Sequence, residues 1–322
     1  MILVTGTAGF IGYHTAKRLL DNGLSVVGID NINDYYDITL KNLRLSQLQK
    51  YESFAFHKIS VDDREGLYQC LSQYTFDYVI HLAAQAGVRY SIENPEAYLN
   101  SNILGFLNIL EYFKDKSLNH LIYASSSSVY GGNKKVPFSE DDSVDSPVSF
   151  YAATKKSNEL MAHVYSKLYK LPTTGLRFFT VYGPYGRPDM AYFKFANKII
   201  KGEIIEVYGY GKLSRDFTYI DDIIEGIFRL LKKPSQKEIP YHLFNIGYGN
   251  PIGLIDFIEI LERTLGLDAK KEFVEMQPGD VEITYADVQK LYDYVGYKPR
   301  VSFEEGILKF VEWFNDYNGG IL

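Results

Sequence analysis

Tyr151-Ala152-Ala153-Thr154-Lys155 sets a phenol and an ammonium one helical turn apart, on a common face if the segment is a helix. A free phenol, with a pKa of about 10, is a poor base at neutral pH. A cation beside it favours the phenolate and lowers that value. The pair can then act as a general base toward a hydroxyl proton. Spacing alone selects nothing, because Tyr-x-x-x-Lys starts at Tyr13, Tyr112, Tyr130, Tyr151, Tyr208 and Tyr294. Tyr151 stands apart because Ser125-Ser126-Ser127-Ser128 lies upstream of it and continues directly from the strand-like His120-Leu121-Ile122-Tyr123-Ala124. Hydroxyls at the C-terminal end of a parallel strand stand where open α/β sheets bind their ligands.

A second group of residues predicts what the base works beside. Gly6-Thr7-Ala8-Gly9-Phe10-Ile11-Gly12 follows the first apolar run and opens the first helical pattern. A dinucleotide pyrophosphate sits at such a helix N-terminus, where free N–H groups and the helix dipole meet its charge, and glycines let it approach. Asp30 ends the second apolar run, placed to accept bonds from the adenosine ribose hydroxyls and to repel a 2′-phosphate. Asn31-Ile32-Asn33 adds no cation, so NAD is expected rather than NADP. A positive nicotinamide ring near Tyr151 would favour the phenolate further.

The elements that must position these groups are short apolar strands at Ile2–Thr5, Ser25–Asp30, Phe54–Ile59, Tyr78–Ala83, His120–Ser125 and Thr173–Phe179. They are mostly continuous in hydrophobicity, as strands covered on both faces are. Helical patterns lie between them, notably Phe10 to Asn22, Pro95 to Lys114 and Phe150 to Tyr169. Alternating strand and helix predicts an α/β fold, a doubly wound parallel sheet of the Rossmann kind. Gly183-Pro184-Tyr185-Gly186-Arg187-Pro188 breaks that rhythm. A smaller C-terminal unit is expected, with residues 1–180 plus 217–249 in the dinucleotide-binding domain and 181–216 plus 250–322 in the other. His81 reads as a packed strand residue and Asp221-Asp222 as a helix start.

Composition bounds the partners. The chain has 322 residues and a net charge of −6, which argues against nucleic acid or an anionic membrane as a partner. An acidic chain that handles an anion must place a few cations locally. Cys70 is the only cysteine, the six histidines show no metal spacing, and no apolar run is long enough to span a bilayer, so a cytoplasmic chain without a metal is expected.

The motifs together resemble the extended short-chain dehydrogenase/reductase family, most closely its UDP-glucuronate 4-epimerases, over the whole chain. The stretches that carry the likeness are residues 81–91, Tyr123 to Gly131, Arg177 to Pro184, Gly186 to Met190, Arg215 to Asp222, and Met276-Gln277-Pro278-Gly279-Asp280. The resemblance implies a tightly held NAD, regenerated in each turnover, and a 4-keto sugar that turns before hydride returns to its other face. Tyr151 would be the acid/base, Ser126 would bond the reacting oxygen, and Lys155 would hold the nicotinamide ribose and tune Tyr151. Gly6, Gly9, Gly12, Phe10, Ile11, Asp30, Asn31, Leu82, Ala83, Ala84 and Asn102 would contact NAD. Many relatives carry an acidic adenine contact where this chain has Ser60; Asp62 and Asp63 stand slightly further on, Asp62 is counted with the cofactor contacts, and the residue that reads the adenine is left open. On the UDP-sugar side, Tyr208 would cover the uracil and Arg215 the diphosphate, the more so because Gln277 stands where relatives acting on UDP-galactose have an arginine. Arg89 and Asp280 join that set. Thr180 and Arg187 would take the sugar carboxylate, with Ser127 and Ser128 in support. Relatives pair the helices Pro95–Lys114 and Phe150–Tyr169 across a homodimer.

Sister enzymes differ in the serine run. The 4,6-dehydratases carry Asp-Glu at the Ser127-Ser128 positions and UDP-glucuronate decarboxylases a Glu at the Ser128 position. Redox without elimination is the better reading, with the decarboxylase, an epimerase of another UDP-hexose, and a non-catalytic NAD or nucleotide-sugar binding protein as alternatives.

Overall fold

The computed structural model describes residues 1–277 and 280–320. The chain first lays down β1 (Ile2–Thr5), β2 (Val26–Asp30), β3 (Phe54–Lys58), β4 (Tyr78–His81), β5 (His120–Ser126) and β6 (Thr173–Phe178). Further on come β7 (Thr180–Tyr182), β8 (Ile204–Tyr208), β9 (Ser214–Tyr219), β10 (Tyr241–Ile246), β11 (Pro251–Gly253) and β12 (Lys270–Val274). Seven strands form one parallel sheet in the order β10-β6-β5-β4-β1-β2-β3. The order reverses between β1 and β4, which opens a crevice at their C-terminal ends.

Both faces of the sheet are covered, which explains the near-continuous apolar strands. Ile2 and Val4 of β1 join one buried cluster, while Leu3 joins the other. The second cluster draws Leu67, Ile109, Leu110 and Phe113 from helices on that face. The first runs on without a break into Phe217, Phe257, Phe303 and Phe310, so the later, smaller sheets share the core of the main one. Those sheets are β11-β9-β7 and β12-β8. The chain returns to the large sheet through α-helical Ile220–Leu230 and then β10, whose Tyr241 pairs with Thr173 of β6.

The expected strands are present within two residues at each end. The fourth stops at His81 because the Ala83 N–H turns to the Thr5 hydroxyl (3.1 Å). The helix Phe150–Tyr169 is as expected, capped by Ser149, whose hydroxyl accepts from Ala152 N–H (3.1 Å). The segment from Pro95 is not one α-helix. It is α-helical at Pro95–Tyr98, widens into a π turn at Leu99–Leu104 and resumes at Gly105–Phe113. The cause lies with Asn102. Its carbonyl takes the Asn158 amide (2.7 Å), and its side chain donates to Gln85 O and to Thr154 Oγ1 (3.0 Å each). Those bonds to neighbouring segments fix the residue in a bulged turn. No described helix is long and apolar enough to cross a membrane.

Candidate active site

A cavity of about 700 Å³ opens at the C-terminal ends of the parallel strands. At one end lies the glycine turn. Gly6 has φ +77°, and a Cβ there would stand 2.8 Å from Ala83 N; a Cβ on Gly12 would stand 1.9 Å from the Gly6 carbonyl oxygen. The turn therefore closes only with glycine. It leads into the helix Phe10–Asp21, which has no capping side chain and no acid in its first turn. Among the described residues the N–H groups of Phe10, Ile11 and Gly12 have no acceptor, and all three residues face the cavity. Unpaired donors at a positive helix end fit a pyrophosphate. Asp30 lies beside them, accepting from Ala8 N–H (3.0 Å) and Ile32 N–H (2.8 Å), with lone pairs left for a ribose. Lys41 reaches the same loop but spends its ammonium on Asn33, 2.6 Å from both the backbone and side-chain oxygens. Asn31, Leu82, Ala83 and Ala84 complete this wall.

In the middle of the cavity stand Tyr151, Lys155 and Ser125 to Ser128. Lys155 Nζ donates to Ala124 O (2.9 Å) on β5, which ties the base helix to the serine strand. Ser126 accepts from Ser128 N–H (3.1 Å) and so caps the short helical turn that presents Ser127 and Ser128. Ser125 points the other way, donating to Glu159 (2.7 Å), which is paired through two bonds with buried Arg177 (2.8 and 2.9 Å). Burial acts on both candidate catalytic groups. It pushes the Tyr151 phenol up, against the opposing pull of the Ser126 hydroxyl and the Arg187 charge. It brings the Lys155 ammonium down to about 7. The expected lowering of the phenol by Lys155 is absent in the chain by itself: the groups that pull it down are Ser126 and Arg187, and desolvation outweighs them. His81 stacks on Phe106 and shares a hydrogen bond with Thr5 (2.9 Å); burial, then the Lys155 charge, lowers it to about 3, which marks it as a neutral packing residue, as expected.

Beyond the phenol, Thr180 and Arg187 line the cavity. Arg187 holds Asp189 with two bonds, Nε to Oδ1 at 3.0 Å and Nη2 to Oδ2 at 2.5 Å, and Tyr35 donates to the same carboxylate (3.3 Å). Burial works against the guanidinium charge, but the Asp189 carboxylate more than offsets it. Nη1 makes no protein hydrogen bond among the described residues, so one edge of the fork is left for a ligand. At the far rim Arg89 pairs with Asp280 (3.2 Å) and lies over the Tyr208 ring (5.4 Å). Arg215 anchors on the Ser214 and Glu282 carbonyls (2.8 and 3.2 Å). Pro278 and Gly279 of the Met276–Asp280 motif lie outside the described residues, as do residues 321 and 322 of the expected second domain.

Two expected cofactor contacts stand behind the wall rather than in it. Asp62 accepts from Ser60, which in turn accepts from Asn31 (3.3 Å), so it buttresses the loop that lines the cavity. Asn102 is fully buried and clamps Gln85 in both directions (2.8 and 3.0 Å). Lys41, Arg44, Tyr35 and Asp189 were not expected. Lys41 and Arg44 had a signal, being cations at i and i+3 on the buried face of the helix Ile38–Leu48, an unusual place for charge in an acidic chain. Among the described residues no cluster of three or more His, Cys, Asp or Glu could hold a metal.

The family model described as GDP-mannose 4,6 dehydratase matches residues 3–310. The chain belongs to this family. Its place among the extended short-chain dehydrogenase/reductases agrees with the resemblance seen in the motifs. A probable UDP-glucuronate 4-epimerase of Rhizobium meliloti is 49% identical over 97% of this chain and 96% of its own. Protein CapI of Staphylococcus aureus is 52% identical over 98% of each chain. The crystal structure of a Bacillus cereus UDP-glucuronic acid 4-epimerase, in complex with UDP-glucuronic acid and NAD, superposes with a TM-score of 0.90 at 36% identity, covering 98% of this chain and 99% of that one.

Proposed function

We propose that this chain is an NAD-dependent epimerase that interconverts UDP-glucuronate and UDP-galacturonate through a 4-keto sugar. The observation that carries the reading is the wall between Tyr151 and Arg187. It holds a phenol at one side and a guanidinium with a free edge at the other. Ser126, Ser127, Ser128 and Thr180 line the same cavity with hydroxyls where an elimination or decarboxylation would need an acid in the serine run, and the Asp189 carboxylate is spent on Arg187. NAD held on the glycine turn supplies the hydride acceptor and donor. The unpaired N–H groups of Phe10, Ile11 and Gly12 would hold its pyrophosphate and Asp30 its ribose. Tyr151 Oη takes the proton from the sugar 4-hydroxyl and later gives it back, while Ser126 bonds the same oxygen. Lys155 would hold the nicotinamide ribose, and an oxidised, positive ring beside Tyr151 would favour its phenolate.

The 4-keto uronate is a β-keto acid and loses CO₂ readily if its carboxylate bond lines up with the carbonyl π system. Arg187, Thr180 and the serines hold the carboxylate out of that alignment, because charge-assisted bonds from a planar fork fix orientation. Arg89, Tyr208, Arg215 and Asp280 take the UDP half. In the domain division expected from the sequence, residues 1–180 plus 217–249 would carry NAD and 181–216 plus 250–322 would carry Arg187, Tyr208, Arg215 and Asp280, while Arg89, Ser127, Ser128 and Thr180 would reach the sugar nucleotide from the first unit. A homodimer is proposed on the exposed apolar side chains Leu99, Leu104, Leu160, Val164 and Leu168. They lie on the two segments that relatives pair, whereas Phe106 and Leu110 of the same segments cover the sheet. The free, buried Cys70 agrees with a reducing, cytoplasmic setting.

Purified protein given UDP-glucuronate, with sugar nucleotides separated and CO₂ trapped, tests the reading. UDP-galacturonate without CO₂ is the expected result. A UDP-pentose with stoichiometric CO₂ would make the chain a decarboxylase, and activity confined to neutral UDP-hexoses would remove the carboxylate role of Arg187.

A further inference from the structure

We propose that Arg44 is a positioning residue that joins the glycine turn to the turn bearing Arg187, so that NAD and the sugar carboxylate are bound cooperatively. The proposal rests on the epimerase reading above. Arg44 is 0% exposed. All its N–H donors are used. Nε and Nη2 donate to Tyr185 O (3.0 and 2.6 Å), Nη2 also to Gly186 O (2.9 Å), and Nη1 to Ala8 O (2.8 Å) and the Tyr36 hydroxyl (2.7 Å). Every acceptor is neutral, and among the described residues Arg44 has no carboxylate partner. Burying a charge without a counter-charge is costly, so such a group persists where its fork or its field is used.

The acceptors show the use. Ala8 lies inside the glycine turn, with its N–H on Asp30 and its carbonyl on Arg44, so the turn is fixed from both sides. Tyr185 and Gly186 immediately precede Arg187. Tyr185 has φ +57°, a left-handed conformation that a tyrosine seldom adopts, and two Arg44 donors hold its carbonyl. One rigid plane thus spans the backbone beneath the pyrophosphate and the backbone that aims the carboxylate-binding arginine. An anion on the turn favours the guanidinium behind Ala8. A guanidinium held there fixes residues 185 and 186, and with them Arg187. Linkage requires the reverse as well: a carboxylate on Arg187 must tighten the hold on NAD by the same factor.

The test uses the holoenzyme and follows exchange of bound NAD for labelled NAD in the presence of saturating UDP-glucuronate or UDP-glucose. The two share a nucleotide and differ in the carboxylate, and such coupling is read mainly in the off-rate. In the unaltered protein UDP-glucuronate should slow exchange about five-fold or more beyond UDP-glucose. In Arg44→Lys, which keeps the charge and loses the fork, the two ligands should slow it equally. Equal slowing in the unaltered protein overturns the proposal whether or not a variant folds, and so does an undiminished preference in folded Arg44→Lys. Failure of the epimerase reading looks different, because no UDP-galacturonate would then form.

Discussion

The two ends of the cleft are built differently. At the dinucleotide end the cavity wall comes from successive βα turns of one sheet, and unpaired backbone N–H groups at the first helix stand beside a single carboxylate, Asp30. At the sugar-nucleotide rim they come from segments far apart in sequence, Arg89 and Asp280 being separated by 191 residues, and they are joined by a partly exposed ion pair. Between the two, Tyr151, Lys155 and Ser126 sit on a helix and a strand that share the main core. A site fixed by backbone geometry tolerates no added atom and is insensitive to salt. A rim held by exposed charges tolerates change and is screened, since such pairs are worth little each.

Substitutions along the cleft should grade accordingly. Gly12→Ala drives a Cβ into the Gly6 carbonyl, so the purified protein should carry no NAD and show no turnover, as read by absorbance of the released cofactor and by product assay. Tyr151→Phe removes the proton carrier and leaves the packing. Turnover should fall by about 100-fold or more, with NAD retained and the melting temperature little changed. Arg187→Ala should raise KM for UDP-glucuronate about ten-fold or more and release CO₂ during turnover, while UDP-glucose binding changes little. If CO₂ release and uronate binding are both unchanged, the carboxylate role is wrong. Arg89→Ala at the rim should change KM by less than about three-fold, an effect that fades at high salt. A large, salt-independent loss there would erase the contrast between the two ends.

Titration gives a further check on the middle of the cleft. Burial lowers Lys155 to about 7, against 10.5 for the unperturbed side chain. Between those values the unfolded chain binds the extra proton, so the stability of NAD-free protein should rise with pH across that window. The melting temperature should climb by a few degrees from pH 7 to 9, and Lys155→Met should flatten the climb.

What was legible in the sequence follows the same division. The glycines, Asp30 and the Tyr151–Lys155 pair are local patterns, tied to a strand end or to one helical turn, so their placement could be read from spacing. Asp216 and Asp222 were legible as motif residues but not as what they do. Asp216 accepts three N–H groups, from Tyr248, Gly249 and Ala286 (2.8 to 3.0 Å), and Asp222 accepts from Arg300 and Val301 (3.1 and 3.0 Å), so both stitch distant loops together. The π turn at Leu99–Leu104, the clamp made by Asn102 and the five bonds of Arg44 depend on partners that only the fold brings near; periodicity marks Arg44 as a cation on a buried face but not what it binds. Asp189 stands two residues from Arg187, yet its grip on that side chain depends on how the turn folds, which spacing does not give.

The central claim is that one carbon of the sugar loses its hydrogen to a bound carrier and regains it from the other face. UDP-glucuronate deuterated at C4, incubated with the holoenzyme in ordinary water, tests this most directly. The account predicts UDP-galacturonate that keeps the deuterium at C4, with none appearing in the solvent. Loss of the label to water, or inversion by an NAD-free preparation at the same rate, would contradict it.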